Sequence, residues 1–568
     1  MISSFDIFDT CLVRKCGTPE NFFDVFSLRA FDHEPPEWAR QEFVAARRLT
    51  EQKLWTENPY YTLKDIWTEM DWTHPFLKSK KELCELEQEL EREMLVSVLA
   101  MRDKVNECRK SGDKIIFISD MYLSSAFLIG MMRAHGFYQD GDALYVSCEC
   151  NAAKYDGGLF QYVREKEGLK SFRHWHHYGD NKQGDYKAPK KLGIKCTLIN
   201  HEYTPYQKQW KDNDYSLEFK YPSILAGLGR ALHYSTEWNT HTDFVLDIIA
   251  PFYCSWMYMV LEDAQRNGIQ RLYFCARDAY QIHKIALVMQ PLFPEVGIEY
   301  VYMSRKALYN EDNDAAKIAY FEQIGLATKT DNVAIVDTTT SGKTLQYLNE
   351  YLLHHGYKEV TAYYYLLWNK IEGVDRSKYN VQVYDEYIHQ NSNNENLLKY
   401  LYVFENFFGL STERKTDDYI IEDNLAMPQF AEDNIKGRTQ FDDRIDWTTI
   451  HQKILTDYAR KYMELGIENY SKSIFEQISM NTICSFFTEP QLHYLCALEH
   501  FLVRGGDGIM RLCIKRESCM QILRTLAKDT YWRYATWMYS SKRLYSIYRY
   551  FQNKKNDIRN YLKYHEEK

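Results

Sequence analysis

The 568-residue sequence has no Cys-x-x-Cys pair, no internal repeat and no low-complexity segment. It also lacks an uncharged apolar run of the roughly 18 residues that would cross a bilayer. Each absence excludes a class. The 13 cysteines are scattered and odd in number, which argues against a disulfide framework. Cys148 and Cys150, one residue apart, are too close to suggest a zinc site by themselves. Cys254 and Cys275 fall in apolar runs read as strands, as expected of reduced thiols in a core. The start of the chain shows no basic region followed by a long apolar one, so no signal peptide is expected. A cytoplasmic protein without a transmembrane segment is expected.

What is present fits a large globular protein. At this length two to four domains are expected, because single cores stop growing well below 568 residues. Hydrophobic content of 45% and charged content of 26% are ordinary for a soluble fold. The 46 tyrosines are many; tyrosine tolerates half-buried positions. The net charge of -9 is unevenly spread. Residues 511–568 carry 14 Lys/Arg against five Asp/Glu, a surplus of nine, so the remainder carries -18. Such a tail suits an anionic surface or a protein partner; a solvated helical face is the plainer alternative. Nothing points to specific nucleic-acid binding.

Chemistry gathers in four stretches of the first 200 residues. Ser4-Phe5-Asp6-Ile7-Phe8-Asp9-Thr10 reads as a short strand ending in an acid, followed by a tight turn with another acid and a hydroxyl. An Asp at a buried strand end is costly unless it binds a metal, pairs with a cation or does chemistry. Ile115-Ile116-Phe117-Ile118-Ser119-Asp120 is a second apolar run ending in a hydroxyl and an acid. Lys154 precedes Tyr155-Asp156-Gly157-Gly158 at the mouth of an expected helix, and His177-Tyr178-Gly179-Asp180-Asn181, with Asp185 beyond, closes a third strand. Taken singly, Ser119 could cap a helix and Lys154 could be solvated.

In this order, the four stretches resemble the haloacid-dehalogenase-like (HAD) hydrolases. The "FDIFDT" start and "SDMYL" second motif resemble a bacterial branch often associated with surface-polysaccharide biosynthesis. The resemblance implies a Mg2+-dependent phosphatase acting on a small phosphorylated substrate through an aspartyl-phosphate on Asp6. It implies that Asp6, Asp180 and Asp185 hold Mg2+ with the Phe8 carbonyl, that Ser119 binds a phosphoryl oxygen, and that Lys154 neutralises charge. One departure stands out. The family's second Asp, a general acid two residues after the nucleophile, is Phe8 here, and Asp9 is the nearest substitute. That leaves the activity open: a degenerate module in a binding or scaffold protein is the alternative to an enzyme.

The expected architecture is α/β. A HAD-like Rossmannoid parallel sheet spans 1–200, with a helical cap at about 15–110 that includes a charged helical run from Lys78 to Lys110. A linker at 201–215 leads to a second α/β domain at 216–430, Rossmann- or phosphoribosyltransferase-like, and a helical, basic region at 431–568. In the second domain Asp337-Thr338-Thr339-Thr340-Ser341-Gly342-Lys343-Thr344 follows a strand and opens a helix, a geometry that cradles phosphates. A Walker A loop needs Gly where Asp337 stands, so the phosphoribosyltransferase-like reading is preferred, with Asp337, Thr340, Ser341, Gly342, Lys343 and Thr344 as ligand contacts. A cluster of helix-capping hydroxyls is the alternative. Arg277-Asp278 and Ser304-Arg305-Lys306 sit at neighbouring strand ends.

Overall fold

The structure is a computed structural model. It describes residues 1–212, 220–237, 242–340, 342–367, 379–380, 408–431, 446–478, 491–497, 502–504 and 510–512, with a few single positions beyond. The chain divides into two compact units, Met1–Asn239 with Lys461–Ile467, and Thr240–Arg460 with Glu468–Lys568.

In the first unit, β1 (Ile2–Phe5) lies between β4 (Lys114–Ser119) and β6 (Trp175–Gly179). With β5 (Ala143–Val146) and β7 (Lys195–Leu198) they form an all-parallel sheet, ordered β5-β4-β1-β6-β7. β4 is the apolar, almost fully buried strand of the set, whereas β7 at the edge is half exposed. Phe5 stacks on Tyr178 at 4.8 Å and packs 6.2 Å from Phe117, which locks the central strand to both neighbours. Strand order reverses on either side of β1, so the crevice at the carboxyl ends of β1 and β6 is where a doubly wound sheet binds its ligand.

The cap enters and leaves this sheet through a two-stranded antiparallel ribbon, β2 (Leu12–Arg14) against β3 (Leu95–Ser97). Between them run α1 (Pro19–Ser27), α2 (Glu37–Glu57), α3 (Leu63–Glu69) and α4 (Lys80–Met94). Sequence starts them clearly. Thr18 caps α1 ahead of Pro19, and Thr62/Asp65 and Ser79/Glu82 form reciprocal capping boxes on α3 and α4. The Lys78–Lys110 run is not one helix. Periodicity carries α4 to Met94, but the backbone of 95–97 pairs with β2, and a separate helix, Leu99–Lys110, packs on the sheet. Tertiary pairing has overridden helical propensity here.

The stretch read as a linker is also structured. Helix Pro205–Asp212 lies within it, and both this helix and Lys220–Ser235, which was expected to open the second domain, belong to the first unit. The second crosses the start of the cap so closely that a Cβ on Gly227 would lie 2.2 Å from the Gly17 nitrogen.

The second unit is another doubly wound parallel sheet. Its strands are β8 (Arg271–Cys275), β9 (Gly297–Val301), β10 (Val333–Val336), β11 (Thr361–Tyr363) and β12 (Tyr379–Asn380), ordered β12-β11-β10-β8-β9. Its reversal falls between β8 and β10. Helix Val245–Arg266 is long and apolar enough to cross a membrane by length and composition, contrary to expectation, yet 94% of its apolar window is buried inside the protein. Cys254, expected in a strand, lies on this helix. The region after 431 is not purely helical: Leu502–Arg504 pairs antiparallel with Met510–Leu512. Most of the basic tail lies outside the described residues.

Candidate active site

Asp6 follows β1 directly, and its amide donates to the Tyr178 carbonyl at 2.9 Å, which ties the end of β1 to β6. Asp180 follows β6. Asp185 sits in the π-helical turn Lys182–Lys187, where its second oxygen accepts from the Asn181 amide at 2.9 Å. Only glycine fits at 179, because a Cβ there would lie 2.4 Å from the Asp185 carboxyl carbon. Oxygens of Asp6, Asp180 and Asp185 all lie within 4.8 Å of one another.

Lys154 joins this cluster from the loop ahead of helix Gly158–Lys166. Its Nζ donates to Asp6 at 2.5 Å and to Asp185 at 2.6 Å, and all three groups are buried. Its own amide is held by both oxygens of Asp120, at 2.9 and 3.0 Å. Thr10 donates to Asp6 at 3.2 Å and reaches Asp180 at 3.4 Å. Ser119 is buried at the end of β4, one residue before Asp120.

Burial pushes the Asp6 carboxyl well up; Lys154 opposes this, and Asp185 and Asp180 add to it. Asp180 is pushed up to about 6 by burial and by Asp9 and Asp185. Burial works on Asp185 in the same direction, but Lys154 and His177 hold it well below the usual carboxylate range. The Lys154 ammonium, despite burial, is held firmly charged by Asp185, Asp6 and Asp120. Crowded carboxylates such as Asp6 and Asp180, whose proton affinity is raised, are what a hard divalent cation relieves, so the three-acid cluster is suited to a metal ion.

A buried chain behind the cluster was not foreseen from sequence. The Trp175 indole donates to Ser4 at 2.7 Å, Ser4 pairs with His177 Nδ1 at 2.8 Å, and His177 Nε2 faces Asp185 at 3.1 Å. With the indole donating to it, Ser4 donates to Nδ1, which leaves the Nε2 hydrogen for Asp185. Burial keeps this imidazole neutral. The signal was faint: Ser4 and His177 are register partners, but Ser3 and His176 beside them are an equally polar pair.

Phe8 and Asp9 take other partners. The Arg14 guanidinium lies 4.8 Å over the Phe8 ring and pairs with Glu91 of α4 at 2.7 Å. Asp9, in the left-handed region at φ 52°, accepts from Arg230 at 2.9 Å. Arg230 also bonds Tyr203 and the His201 carbonyl. Nothing in the motifs announced Arg230, which comes from helix Lys220–Ser235, in the stretch expected to open the second domain.

In the second unit, Asp337 follows β10 and accepts from the Thr338 amide at 2.8 Å. Gly342, at φ 84°, opens helix Lys343–His354, with Lys343 exposed and Thr344 half-buried. Thr340 pairs by its backbone with Leu367; its side chain, and Ser341 altogether, lie outside the described residues. Burial, then Asp278 and Asp337, raise the Tyr253 hydroxyl, and burial with both acids also raises the Cys275 thiol. Ser304 and Lys306 are engaged elsewhere: Ser304 caps its own helix and donates to the Thr416 carbonyl at 2.7 Å, and Lys306 pairs with Asp417 at 2.6 Å.

No family model and no curated protein matches the sequence. Among solved structures, the chain is similar to the putative HAD-hydrolase YfnB from Bacillus subtilis bound to magnesium, at 13% identity and TM-score 0.27, over 36% of this chain and 90% of that one. It is similar to a HAD phosphatase from Thermococcus onnurineus, at 16% identity and TM-score 0.27, over 38% and 90%. It is also similar to the L-2-haloacid dehalogenase from Xanthobacter autotrophicus, at 13% identity and TM-score 0.29, over 40% and 88%.

Proposed function

We propose that the first unit is a HAD-type, Mg2+-dependent phosphohydrolase acting on a small phosphorylated metabolite. The observation that carries this is Lys154 lodged between Asp6 and Asp185, with Asp180 completing the cluster at the sheet's switch point. Asp6 attacks phosphorus, the ester P–O bond breaks, and the leaving alkoxide takes a proton; water then releases phosphate from the aspartyl-phosphate. Mg2+, held by Asp6, Asp180, Asp185 and the Phe8 carbonyl, would neutralise phosphoryl charge. Lys154 places a fixed cation beside the nucleophile, where charge develops. Ser119, buried at the adjacent strand end, binds a phosphoryl oxygen.

Leaving-group protonation is the weak point. Phe8 carries no proton, and Asp9 donates one only if its pair with Arg230 opens. This favours substrates with good leaving groups. It is also the observation behind the second reading, in which the module binds rather than hydrolyses.

In the second unit, residues 337–344 are proposed as an anion-binding loop, supported by their place between the end of β10 and the start of helix Lys343–His354, which Gly342 opens at φ 84°. A transferase centred there is the corresponding alternative. A sugar phosphate of surface-polysaccharide biosynthesis as substrate, a cytoplasmic setting, and an anionic surface or protein partner for residues 511–568 complete the proposal, supported by the motif resemblance and the tail's charge surplus.

The test is phosphate release from sugar phosphates, nucleotides and an aryl phosphate, with and without Mg2+, by wild type and Asp6→Asn. Mg2+-dependent release abolished in Asp6→Asn is expected. Release that survives Asp6→Asn, or none on any substrate, would sink the reading.

A further inference from the structure

Beside the candidate site a cleft of about 890 Å³ opens between α1 and α2 of the cap and the core segments around Asp120–Tyr122 and Ala153. Its inner end is one residue from both Ser119 and Lys154. We propose that the phosphate ester held there carries a flat heteroaromatic body, making the substrate a nucleoside monophosphate rather than a monosaccharide phosphate. This rests on the hydrolase reading and narrows its substrate class.

Size is the first argument. The volume is near the upper end of the ~300–1,000 Å³ of ligand pockets. A monosaccharide phosphate would leave most of it to water. Lining is the second. Trp55 reaches the cleft from α2 with 53% of its surface exposed, while Phe23 and Tyr61 in the cleft wall are buried and back it with apolar packing. A tryptophan left in water beside a catalytic cluster is a stacking platform in want of a π face. Polarity is the third. Arg48, Glu51 and Gln52 line the cleft from the same helix as Trp55. An acyl chain would strip these groups of water and return no hydrogen bonds. A nucleobase offers a face to Trp55 and a hydrogen-bonding edge to its polar neighbours.

The experiment is equilibrium binding of AMP, CMP, ribose 5-phosphate and glucose 6-phosphate to the full-length Asp6→Asn protein in Mg2+, with phosphate release by wild type measured alongside. AMP or CMP is expected to bind about tenfold or more tighter than ribose 5-phosphate, the usual scale of base–aromatic stacking. That margin should collapse in Asp6→Asn/Trp55→Ala and return in Asp6→Asn/Trp55→Phe. Equal or tighter binding of the sugar phosphates overturns the inference, as does a nucleotide margin indifferent to Trp55→Ala. Asp6-dependent release from sugar phosphates alone overturns the inference and leaves the hydrolase standing. Absence of any Asp6-dependent release removes the hydrolase, while the binding comparison still decides the nucleotide preference.

Discussion

A lysine ammonium at 2.5 and 2.6 Å from two buried carboxylates makes the first site sensitive to small displacements. Gly179 is where this shows most simply. Replacing it with Ala forces Asp185 away from a Cβ that would sit 2.4 Å from its carboxyl carbon. Overpacking of this kind costs about 1–3 kcal/mol. Gly179→Ala is therefore expected to lower the midpoint of urea unfolding and to weaken Mg2+ binding by calorimetry; unchanged values in both would refute the crowding argument. Asp9 gives a second residue-level prediction. If it donates the proton, Asp9→Asn slows alkyl phosphates much more than an aryl phosphate, read from the ratio of the two kcat values. An equal effect on both would assign Asp9 to anchoring Arg230. Asp6, Ser119 and Asp180 stood out in sequence because each ends a strand-like run, and Lys154 because it precedes the Gly157-Gly158 helix start. His177 and Arg230 did not. His177 works from inside a strand, and Arg230 arrives from a helix with no motif of its own.

At the scale of elements, the cap is held by a buried ionic network. Arg47 of α2 is fully buried, pairs with Glu87 of α4 at 2.7 and 3.2 Å and with Glu51 at 2.8 Å, and lies 4.8 Å from the Phe23 ring. The Trp67 indole and the Tyr122 hydroxyl also donate to Glu87, at 3.0 and 3.2 Å, which ties α3 and the loop after β4 to the same carboxylate. Removing one partner of a buried pair costs about 3–5 kcal/mol. Arg47→Met is expected to lose that much in urea unfolding, whereas Arg47→Met/Glu87→Leu recovers a large part of it. A double variant no better than the single one would contradict the uncompensated-charge explanation. The helix starts of the cap were readable from Thr18, Thr62 and Ser79. The break at Leu95 was not, since nothing local distinguishes Leu95–Ser97 from another helical turn; its cause is a partner strand more than 80 residues earlier.

For the whole molecule, buried neutral histidines set the response to acid. His451 is pushed down to about 3 by burial, and His283 to about 4 by burial with Lys284 adding to it. Both values lie below the ~6.5 of an unfolded histidine. The unfolded chain then binds protons that the folded chain refuses, so stability present above pH 6.5 is lost as pH falls towards 4. Urea unfolding between pH 7 and 4.5 should show that loss, and His283→Phe with His451→Phe should flatten it; an unaltered slope would exclude these residues as its source. The two parallel sheets were legible from alternating apolar runs and helical segments. Assignment of Pro205–Ser235 to the first unit was not, because it depends on the meeting of Gly17 and Gly227 and on the Arg230–Asp9 pair.

The central position of β1 bears on how the protein is made. Ser4 and His177, neighbours in the sheet, are 173 residues apart in the chain. At the ~5–20 residues per second of translation, β1 leaves the ribosome about 10–35 s before β6 can cover its open edge. During that interval β1, with the whole cap synthesised behind it, lacks its β6 partner, and for the first part of it lacks β4 as well. Synthesis of this protein therefore places a demand on whatever shields nascent chains in its cell.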